Sequence, residues 1–414
     1  MKSPRAFLLE IGIFFSLAFA PLSFGAVYGW GYGTLAAAVF GLLFFTPQAF
    51  FDFPALPHFS RWGSLAVGLW LVCQTLFFSK LKSVASIEAL SWLAAATVFL
   101  LMHRLKRDAI LRLFQAFILI GALVSIYGLW QVVTGSEWVL WHKKEAHRGF
   151  VTGTYLNRNH YAGLMELVLG VHLGCFIRAV HKSQMKTALV LALLWIPSFA
   201  GFLKSGSRSG LICFTAALCM LSFFLIHRTG KKTFFILFLI FLGCAGGGIL
   251  GWNTAAARFQ ETAGDLMTLE GRLTVWKSMT PMLRDYFWTG IGLGNFKWVF
   301  PLYQQATLDY GWSHAHQDYF ELAIEMGVPA FVVWIACVMT ILGSCFARTE
   351  SKDFSTFALI WGTAVGLIAI SLHGFTDFNF AIPGNVFLFA LLLGAAHRLL
   401  DFERQTVVRE KTDP

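Results

Sequence analysis

The sequence contains few charged residues and more apolar surface than a water-soluble protein can bury. Of its 414 residues, 13% are charged and 57% are hydrophobic, whereas soluble domains usually carry about 25% charged residues. Apolar runs long enough to cross about 30 Å of hydrocarbon recur along the whole chain. A large soluble domain with one membrane anchor is therefore excluded, and we predict an all-α polytopic membrane protein.

The excess of positive charge does not indicate a nucleic-acid-binding protein. The formal net charge is +10, but the basic residues stand in short clusters between apolar runs. This arrangement sets the orientation of membrane helices. We therefore expect a membrane partner and no nucleic-acid partner.

Several patterns that would indicate other classes are missing. The cysteines lack metal-ligand spacing and fall within or at the ends of apolar runs, so we expect buried thiols and no disulfide. The glycines of Trp288–Phe296 follow no predicted strand and lack dinucleotide-binding spacing, so a tight turn explains them better. No clear internal repeat is present. Because inverted-repeat transporters usually show matching halves, this counts mildly against a transporter. The seven cysteines are Cys73, Cys175, Cys213, Cys219, Cys244, Cys337 and Cys345.

The apolar runs predict about twelve membrane-spanning helices. The N-terminal run resembles a signal peptide because Lys2 and Arg5 precede it. Glu10 interrupts it and many spans follow, so we interpret it as a retained first helix. The predicted spans cover residues 6–24, 28–46, 63–79, 85–102, 109–132, 160–180, 186–203, 209–226, 234–251, 328–346, 356–373 and 385–400.

The placement of lysine and arginine predicts that both termini are cytoplasmic. With about twelve spans, four basic clusters fall on the same side of the membrane as the N-terminus. We predict transmembrane helices in residues 1–251, a large periplasmic loop with the catalytic residues in 252–327, transmembrane helices in 328–400 and a cytoplasmic tail in 401–414. A polar segment over 134–159 also faces outward, and loops this long usually have a function. The clusters are Arg104, Lys106 and Arg107; Arg228, Lys231 and Lys232; Arg348 and Lys352; and Arg404, Arg409 and Lys411.

Arg208 lies in the Ser205–Gly210 stretch, between two predicted spans. An arginine so close to hydrocarbon is costly unless it is paired or faces a ligand. The alternative is that Ser205 or Ser207 caps the following helix and Arg208 extends to the lipid headgroups. The residues alone leave ligand binding and capping equally open.

Two histidines stand near the end of the predicted outer loop, at the start of an apolar helical pattern. His314 and His316 stand at positions i and i+2, whereas two histidines that bind a metal from one helix usually stand at i and i+4. No third ligand is evident. A single histidine acting as a general base is the sharper hypothesis, since its ordinary pKa lies near neutrality. A polar helix cap is the alternative. The loop tryptophans are better explained as interfacial residues than as sugar platforms: Trp276, Trp288, Trp298 and Trp312.

Two further polar groups lie at predicted membrane boundaries. Asn157, Arg158, Asn159 and His160 enter the sixth span together and suggest a ligand-facing edge, although capping by an asparagine would explain part of the pattern. Asp377 is a lone carboxylate among aromatic residues after the eleventh span. A buried partner for an arginine is its natural role.

The loop sequence resembles the O-antigen ligase and polymerase superfamily of bacterial envelope glycosyltransferases. The ligase motif has His, then Asn, Ser or Gln, nine residues, Gly, two residues, and Gly, Thr or Tyr. His316, Gln317 and Gly327 fit this motif, and Ala330 departs from it at the last position. The resemblance implies a GT-C-like fold with about 12 transmembrane helices and one large periplasmic loop.

The resemblance also extends to Arg208 in Ser-x-Ser-Arg-x-Gly, Arg272 in Gly-Arg-x-x-x-Trp, and Asp377 before the last span. Together these motifs cover roughly residues 150 to 385. They are fairly specific for the superfamily and weak for choosing among its branches. The large C-terminal extramembrane region typical of the protein-modifying branch is absent from this sequence.

The resemblance implies a metal-independent, inverting glycosyltransferase of the bacterial inner membrane, without a cofactor. The donor would be an undecaprenyl-diphosphate-linked glycan and the acceptor the lipid A–core oligosaccharide. His316 would be the base, and Arg208 and Arg272 would bind the diphosphate. Repeat-unit polymerisation of O-antigen or exopolysaccharide is the runner-up, and a polytopic transporter or lipid flippase is the alternative from another class. The supporting residues would be Asp377, His314, Asn157, Arg158, Asn159 and His160.

Overall fold

The structure is a computed structural model that describes residues 4–46, 56–229, 262–305, 311–347 and 353–412. Several features predicted from sequence lie outside this part of the chain. They are the span over residues 234–251, residues 252–261 of the predicted loop, Cys244, Lys2, Lys231, Lys232, Arg348 and Lys352, together with the side chains of Arg228, Arg409 and Lys411.

Helices dominate the described residues, and the only strands among them form one short hairpin, Trp138–Val139 with His142–Lys143. The first eight helices are α1 (Pro4–Leu22), α2 (Gly29–Phe45), α3 (His58–Phe77), α4 (Lys82–Met102), α5 (Arg107–Val133), α6 (Arg158–His181), α7 (Met185–Lys204) and α8 (Arg208–Thr229). The later ones are α9 (Thr262–Asp285), α10 (Phe296–Val299), α11 (Asp318–Met326), α12 (Val328–Ala347), α13 (Phe354–His373) and α14 (Pro383–Thr412). Short 3₁₀ turns cover Phe24–Ala26, Phe300–Leu302 and Asn379–Ala381.

Eight of the described helices are long and apolar enough to cross a membrane, namely α1, α4, α5, α6, α7, α12, α13 and α14. Helix α2 and the first part of α8 are shorter apolar helices. Every predicted span within the described residues, including that over 63–79, coincides with a helix. The prediction of an all-α polytopic membrane protein is confirmed.

Helices α6 and α13 form the centre of the bundle and are mostly buried. Glycines allow their backbones to touch: a Cβ atom on Gly170 would lie 2.4 Å from the amide nitrogen of Gly366, and one on Gly362 would lie 2.4 Å from that of Gly174. Small residues at helix contacts permit this close approach in membranes. The close packing fixes the start of α6 against the end of α13, where the predicted site residues lie.

A second, smaller core holds together the extramembrane residues between α9 and α11. It includes Val275 on α9, Phe296 and Phe300, and Ile324 on α11. The Trp288–Phe296 stretch forms the expected turn, since its glycines at 290, 292 and 294 all have positive φ angles. This unit therefore packs around its own apolar residues.

Helix α3 docks onto the extramembrane unit through side-chain donors. Gln74 Nε2 donates to the carbonyl of Glu325 at 2.7 Å, and Trp70 Nε1 donates to that of Met326 at 2.8 Å. The two carbonyls lie at the end of α11, where the helix has no partners of its own for them. These bonds hold the segment containing the two loop histidines in a defined position on the bundle.

Candidate functional site

The predicted site residues converge at one end of the bundle, where α6 and α8 begin and α13 ends. Asn159 at the start of α6 donates from Nδ2 to the carboxylate of Asp377, which follows α13. Asn385 on α14 donates from Nδ2 to the backbone carbonyl of His160 at 3.1 Å. The polar cluster on α6 and the acidic position thus belong to one site.

His316 and Asp377 face each other within this site. The Nδ1 atom of His316 lies 3.5 Å from Oδ1 of Asp377, and the exposed fractions of the two side chains are 27% and 1%. Burial alone would raise the pKa of Asp377, but His316, His160 and His373 outweigh burial and lower it. Asp377 is therefore a buried carboxylate that stays ionised beside a partly accessible imidazole.

The backbone of His316 adopts a conformation that most residues avoid. Its φ angle is +52°, in the left-handed region where residues other than glycine are uncommon, although histidine is enriched there. Such conformations persist only when the surroundings enforce them, and they cluster at functional sites. The strain supports a functional role for His316 over a simple helix cap. The capping role belongs to Gln317, whose side chain accepts from the amide of Phe320.

Three imidazole rings surround the ring of Phe378. His314 stacks on it with centroids 4.3 Å apart, while His316 and His160 approach with their edges at 4.7 and 4.5 Å. Trp312 contacts His316 from another direction, with centroids 5.8 Å apart. Phe378 therefore sets the spacing of the three histidines, a role that the sequence did not reveal.

His314 has a carboxylate partner of its own. Its Nδ1 atom lies 2.8 Å from Oε1 of Glu321, and the other carboxylate oxygen accepts from the amide of Ala315 at 2.6 Å. Burial lowers the pKa of His314, but Glu321, Glu88 and Asp377 raise it further, so the net shift is upward. The raised pKa favours the charged form of His314 beside Glu321, whereas the carboxylate that faces His316 is Asp377.

Arg272 and Trp276 lie four residues apart on one face of α9 and hold two loops of the site together. Arg272 Nη1 donates to the carbonyl of Thr376 at 3.2 Å, and Trp276 Nε1 donates to that of Ala315 at 2.9 Å. Residues with this spacing share a helix face. The face places the guanidinium on the backbone carbonyl of the residue before Asp377, and it explains why arginine and tryptophan occur together in this motif.

Arg208 occupies the first turn of α8, directly after Ser207. Ser207 Oγ accepts from the amide of Gly210 at 3.3 Å, as an N-cap does. A Cβ atom on Gly210 would lie 3.3 Å from Oε1 of Glu166, so the start of α8 packs over Glu166 on α6. The capping interpretation is correct for Ser207, and Arg208 lies at the helix end where a phosphate would be favoured.

A buried contact between a histidine and a glutamate lies beneath the site and was not predicted from the sequence. His373 Nδ1 on α13 is 2.9 Å from Oε1 of Glu166 on α6, and both side chains have an exposed fraction of 0%. The two residues lie on helices that are distant in the chain, so no local motif joins them. The pair ties together the two central helices that carry Asn159 and Asp377.

The remaining predicted residues have local roles. Asn157 is the N-cap of α6, with its side chain accepting from the amide of Asn159 at 2.8 Å. The guanidinium of Arg158 lies over the ring of Phe150, 4.6 Å from its centroid. Capping and packing therefore explain part of this cluster, while Asn159 and His160 lie within the site.

Residues 191–335 match a family model described as O-Antigen ligase. This match covers about a third of the chain and supports the resemblance to the O-antigen ligase and polymerase superfamily. The matched region includes Arg208, Arg272, His314 and His316, whereas Asn159 and Asp377 lie outside it. The match agrees with the multi-pass membrane architecture of the described helices and supports a glycosyltransferase-like class. No curated protein matches the sequence.

Proposed function

We propose that this protein is an O-antigen ligase. It would transfer a glycan from undecaprenyl diphosphate to the lipid A–core oligosaccharide, at the periplasmic face of the bacterial inner membrane. The observation that carries the proposal is the His316–Asp377 pair, which lies at a bundle end that also holds Arg272 and the start of α8. The match to the O-antigen ligase model supports the class of substrates.

The two arginines fit a diphosphate leaving group. A guanidinium stays charged at all relevant pH values and binds phosphate oxygens in a bidentate manner. The N-terminus of α8 adds backbone amides and the positive end of the helix dipole beside Arg208. Together with Arg272 on α9, these groups would stabilise the negative charge that develops as the glycosidic oxygen departs.

The histidine pair fits the activation of an acceptor hydroxyl. Asp377 faces Nδ1 of His316, so Nε2 remains to take the acceptor proton, as in other histidines oriented by a carboxylate. The acceptor oxygen then attacks the anomeric carbon as the bond to the diphosphate breaks, and the diphosphate leaves with the electron pair. A single displacement of this kind inverts the anomeric configuration and requires no metal.

A growing glycan chain is the second candidate acceptor, which would make the protein a repeat-unit polymerase. The observation that favours it is the contribution of α6 to the site, through Asn159 on Asp377 and His160 on Phe378. Such a polar cluster is a feature of polymerase-like sequences. Transport is less well supported, because the site residues lie at helix ends rather than along the middle of the spans.

Purified protein reconstituted with a lipid-linked glycan tests the proposal. We expect transfer to lipid A–core acceptor, persisting in EDTA, with an inverted linkage in the product. Elongation of the lipid-linked glycan in the absence of lipid A–core would establish the polymerase instead. Absence of both products, from protein that still binds the donor, would overturn the assignment.

A further inference from the structure

A second group of ionisable side chains lies at the end of the bundle opposite to the candidate site. His103 follows the last residue of α4, and His397 and Asp401 lie one turn apart on α14. One nitrogen or oxygen atom from each of the three lies within 4.8 Å of the others. All three side chains are buried, and the proposed glycosyl transfer has no use for them.

A glycine contact brings these residues together. A Cβ atom on Gly394 of α14 would lie 2.8 Å from the carbonyl oxygen of Phe99 on α4, so the two helix backbones approach closely. His397 lies three residues after Gly394, and His103 lies four residues after Phe99. These separations keep residues on one helix face, so both histidines point toward the contact between the helices.

The hydrogen bonding of His103 leaves one nitrogen facing its neighbours. Its Nδ1 atom lies 2.9 Å from the carbonyl oxygen of Phe99, which can only accept, so Nδ1 carries the proton. In the neutral ring Nε2 then presents a lone pair, and it lies 3.0 Å from Nδ1 of His397. Histidines that bind metals characteristically donate their other N–H to a carbonyl in this way.

Asp401 supplies an oxygen on the same side of the pair. Its Oδ2 atom lies 3.7 Å from Nδ1 of His397, while Oδ1 pairs with Nη1 of Arg404 at 3.3 Å. Ligand atoms about 2.1 Å from a tetrahedral zinc ion lie about 3.4 Å from one another. The observed separations of 3.0 and 3.7 Å fall on either side of that value.

Two nearby arginines have partners of their own. Arg398 donates from Nε to the carbonyl of Leu105 at 3.3 Å, and its guanidinium stacks on Phe402 at 4.1 Å. Arg404 pairs with Oδ1 of Asp401 at 3.3 Å, which leaves Oδ2 as the carboxylate oxygen nearer to His397. We propose that His103, His397 and Asp401 bind a zinc ion that links α4 to α14, with a fourth position left for water.

Metal content of the full-length protein tests this site directly. The protein is purified through an affinity tag without histidine, stripped with EDTA and dialysed against zinc. We expect about one zinc ion per chain, and a rise of roughly 3 °C or more in the thermal midpoint when zinc is present. His397→Gln and Asp401→Asn should lose both effects. The matched control is His181→Gln, at an exposed position at the same end of the bundle, which should keep them.

Cobalt(II) provides a measurement that does not depend on variants. Cobalt(II) bound at a four-coordinate site with nitrogen and oxygen ligands shows a visible absorption band. Added zinc should displace the cobalt and remove this band. Zinc binding that is equal in wild type and both ligand variants would overturn the proposal. If wild-type protein binds no zinc and shows no cobalt band, the proposal is also overturned. The two histidines would then form a hydrogen-bonded pair without a metal.

Discussion

The Nδ1 atom of His316 lies 3.5 Å from Oδ1 of Asp377, across 61 residues of sequence and between two structural units. His316 belongs to the extramembrane segment before α11, whereas Asp377 follows the central span α13. Their contact joins the loop to the bundle at one point. A base on a mobile loop would lose its orientation, and the buried carboxylate prevents that.

The first prediction concerns His316 itself. His316→Asn should reduce glycan transfer by roughly 10²- to 10⁴-fold, because the acceptor loses its general base. Asparagine tolerates the left-handed backbone at this position better than alanine does, so the fold should be retained. Transfer is measured in reconstituted protein, alongside binding of the lipid-linked donor, which should not change.

His314 provides the matched comparison for His316. It lies two residues away and packs on the same Phe378 ring, but its Nδ1 atom contacts Glu321 instead of Asp377. His314→Asn should therefore be milder than His316→Asn. Transfer at near wild-type rate by the His316 variant would exclude the proposed base.

The second prediction tests whether Asp377 acts through His316. Asp377→Asn should lower the rate of transfer at saturating donor and acceptor by roughly 10²-fold or more, because the imidazolium loses its counter-charge. The double variant Asp377→Asn/His316→Asn should be little slower than His316→Asn alone, because the effects of residues that act as a unit are strongly non-additive. The four rate constants of this cycle are the measurement. Full additivity would show that Asp377 acts independently of His316.

The low charge content and the length of the apolar runs were enough to predict the fold class. Long apolar runs leave few alternatives in a membrane, so each predicted span within the described residues coincides with a helix. The continuation of α14 to Thr412 was not predicted, because residues after 400 are polar and apolar length was the criterion used.

The site was harder to predict, because its contacts join distant parts of the chain. Local motifs identified His316, Arg272 and Asp377, but nothing in them indicates that Phe378 would separate three histidines. The partnership of Glu166 with His373 spans 207 residues and depends on the glycine contacts between α6 and α13. Such pairs depend on how distant helices pack against each other, and this packing cannot be predicted from a single sequence.

The third prediction concerns the arginines. Arg272→Lys should lose most transfer activity, because an ammonium cannot replace a bidentate guanidinium on a diphosphate. The lysine retains the charge and a donor for the Thr376 carbonyl, so protein level should not change. Arg208→Lys should behave similarly, with weaker binding of the lipid-linked donor in both. Wild-type transfer by both variants would reduce the two arginines to structural anchors.

The fourth prediction concerns topology, with the site outside and both termini inside. Leu302 is 81% exposed in the extramembrane unit, and Lys182 is exposed at the opposite end of the bundle. In a background without accessible cysteines, Leu302→Cys should react with an impermeant maleimide in intact spheroplasts. Lys182→Cys should react only after lysis. The reverse pattern would place the site in the cytoplasm and overturn the proposed donor.

The fifth prediction follows from the raised pKa of His314. A histidine whose pKa is higher in the folded protein stabilises the fold fully below its unfolded value of about 6.5. That stabilisation disappears as the pH rises through the folded pKa. The thermal midpoint of wild type minus that of His314→Gln should therefore be largest in mildly acidic buffer and shrink on the alkaline side. If the two residues act as an ion pair, the difference in thermal midpoint between Glu321→Gln and the double variant His314→Gln/Glu321→Gln should not depend on pH. A pH-independent difference between wild type and His314→Gln would show that His314 is held by stacking on Phe378 rather than by charge.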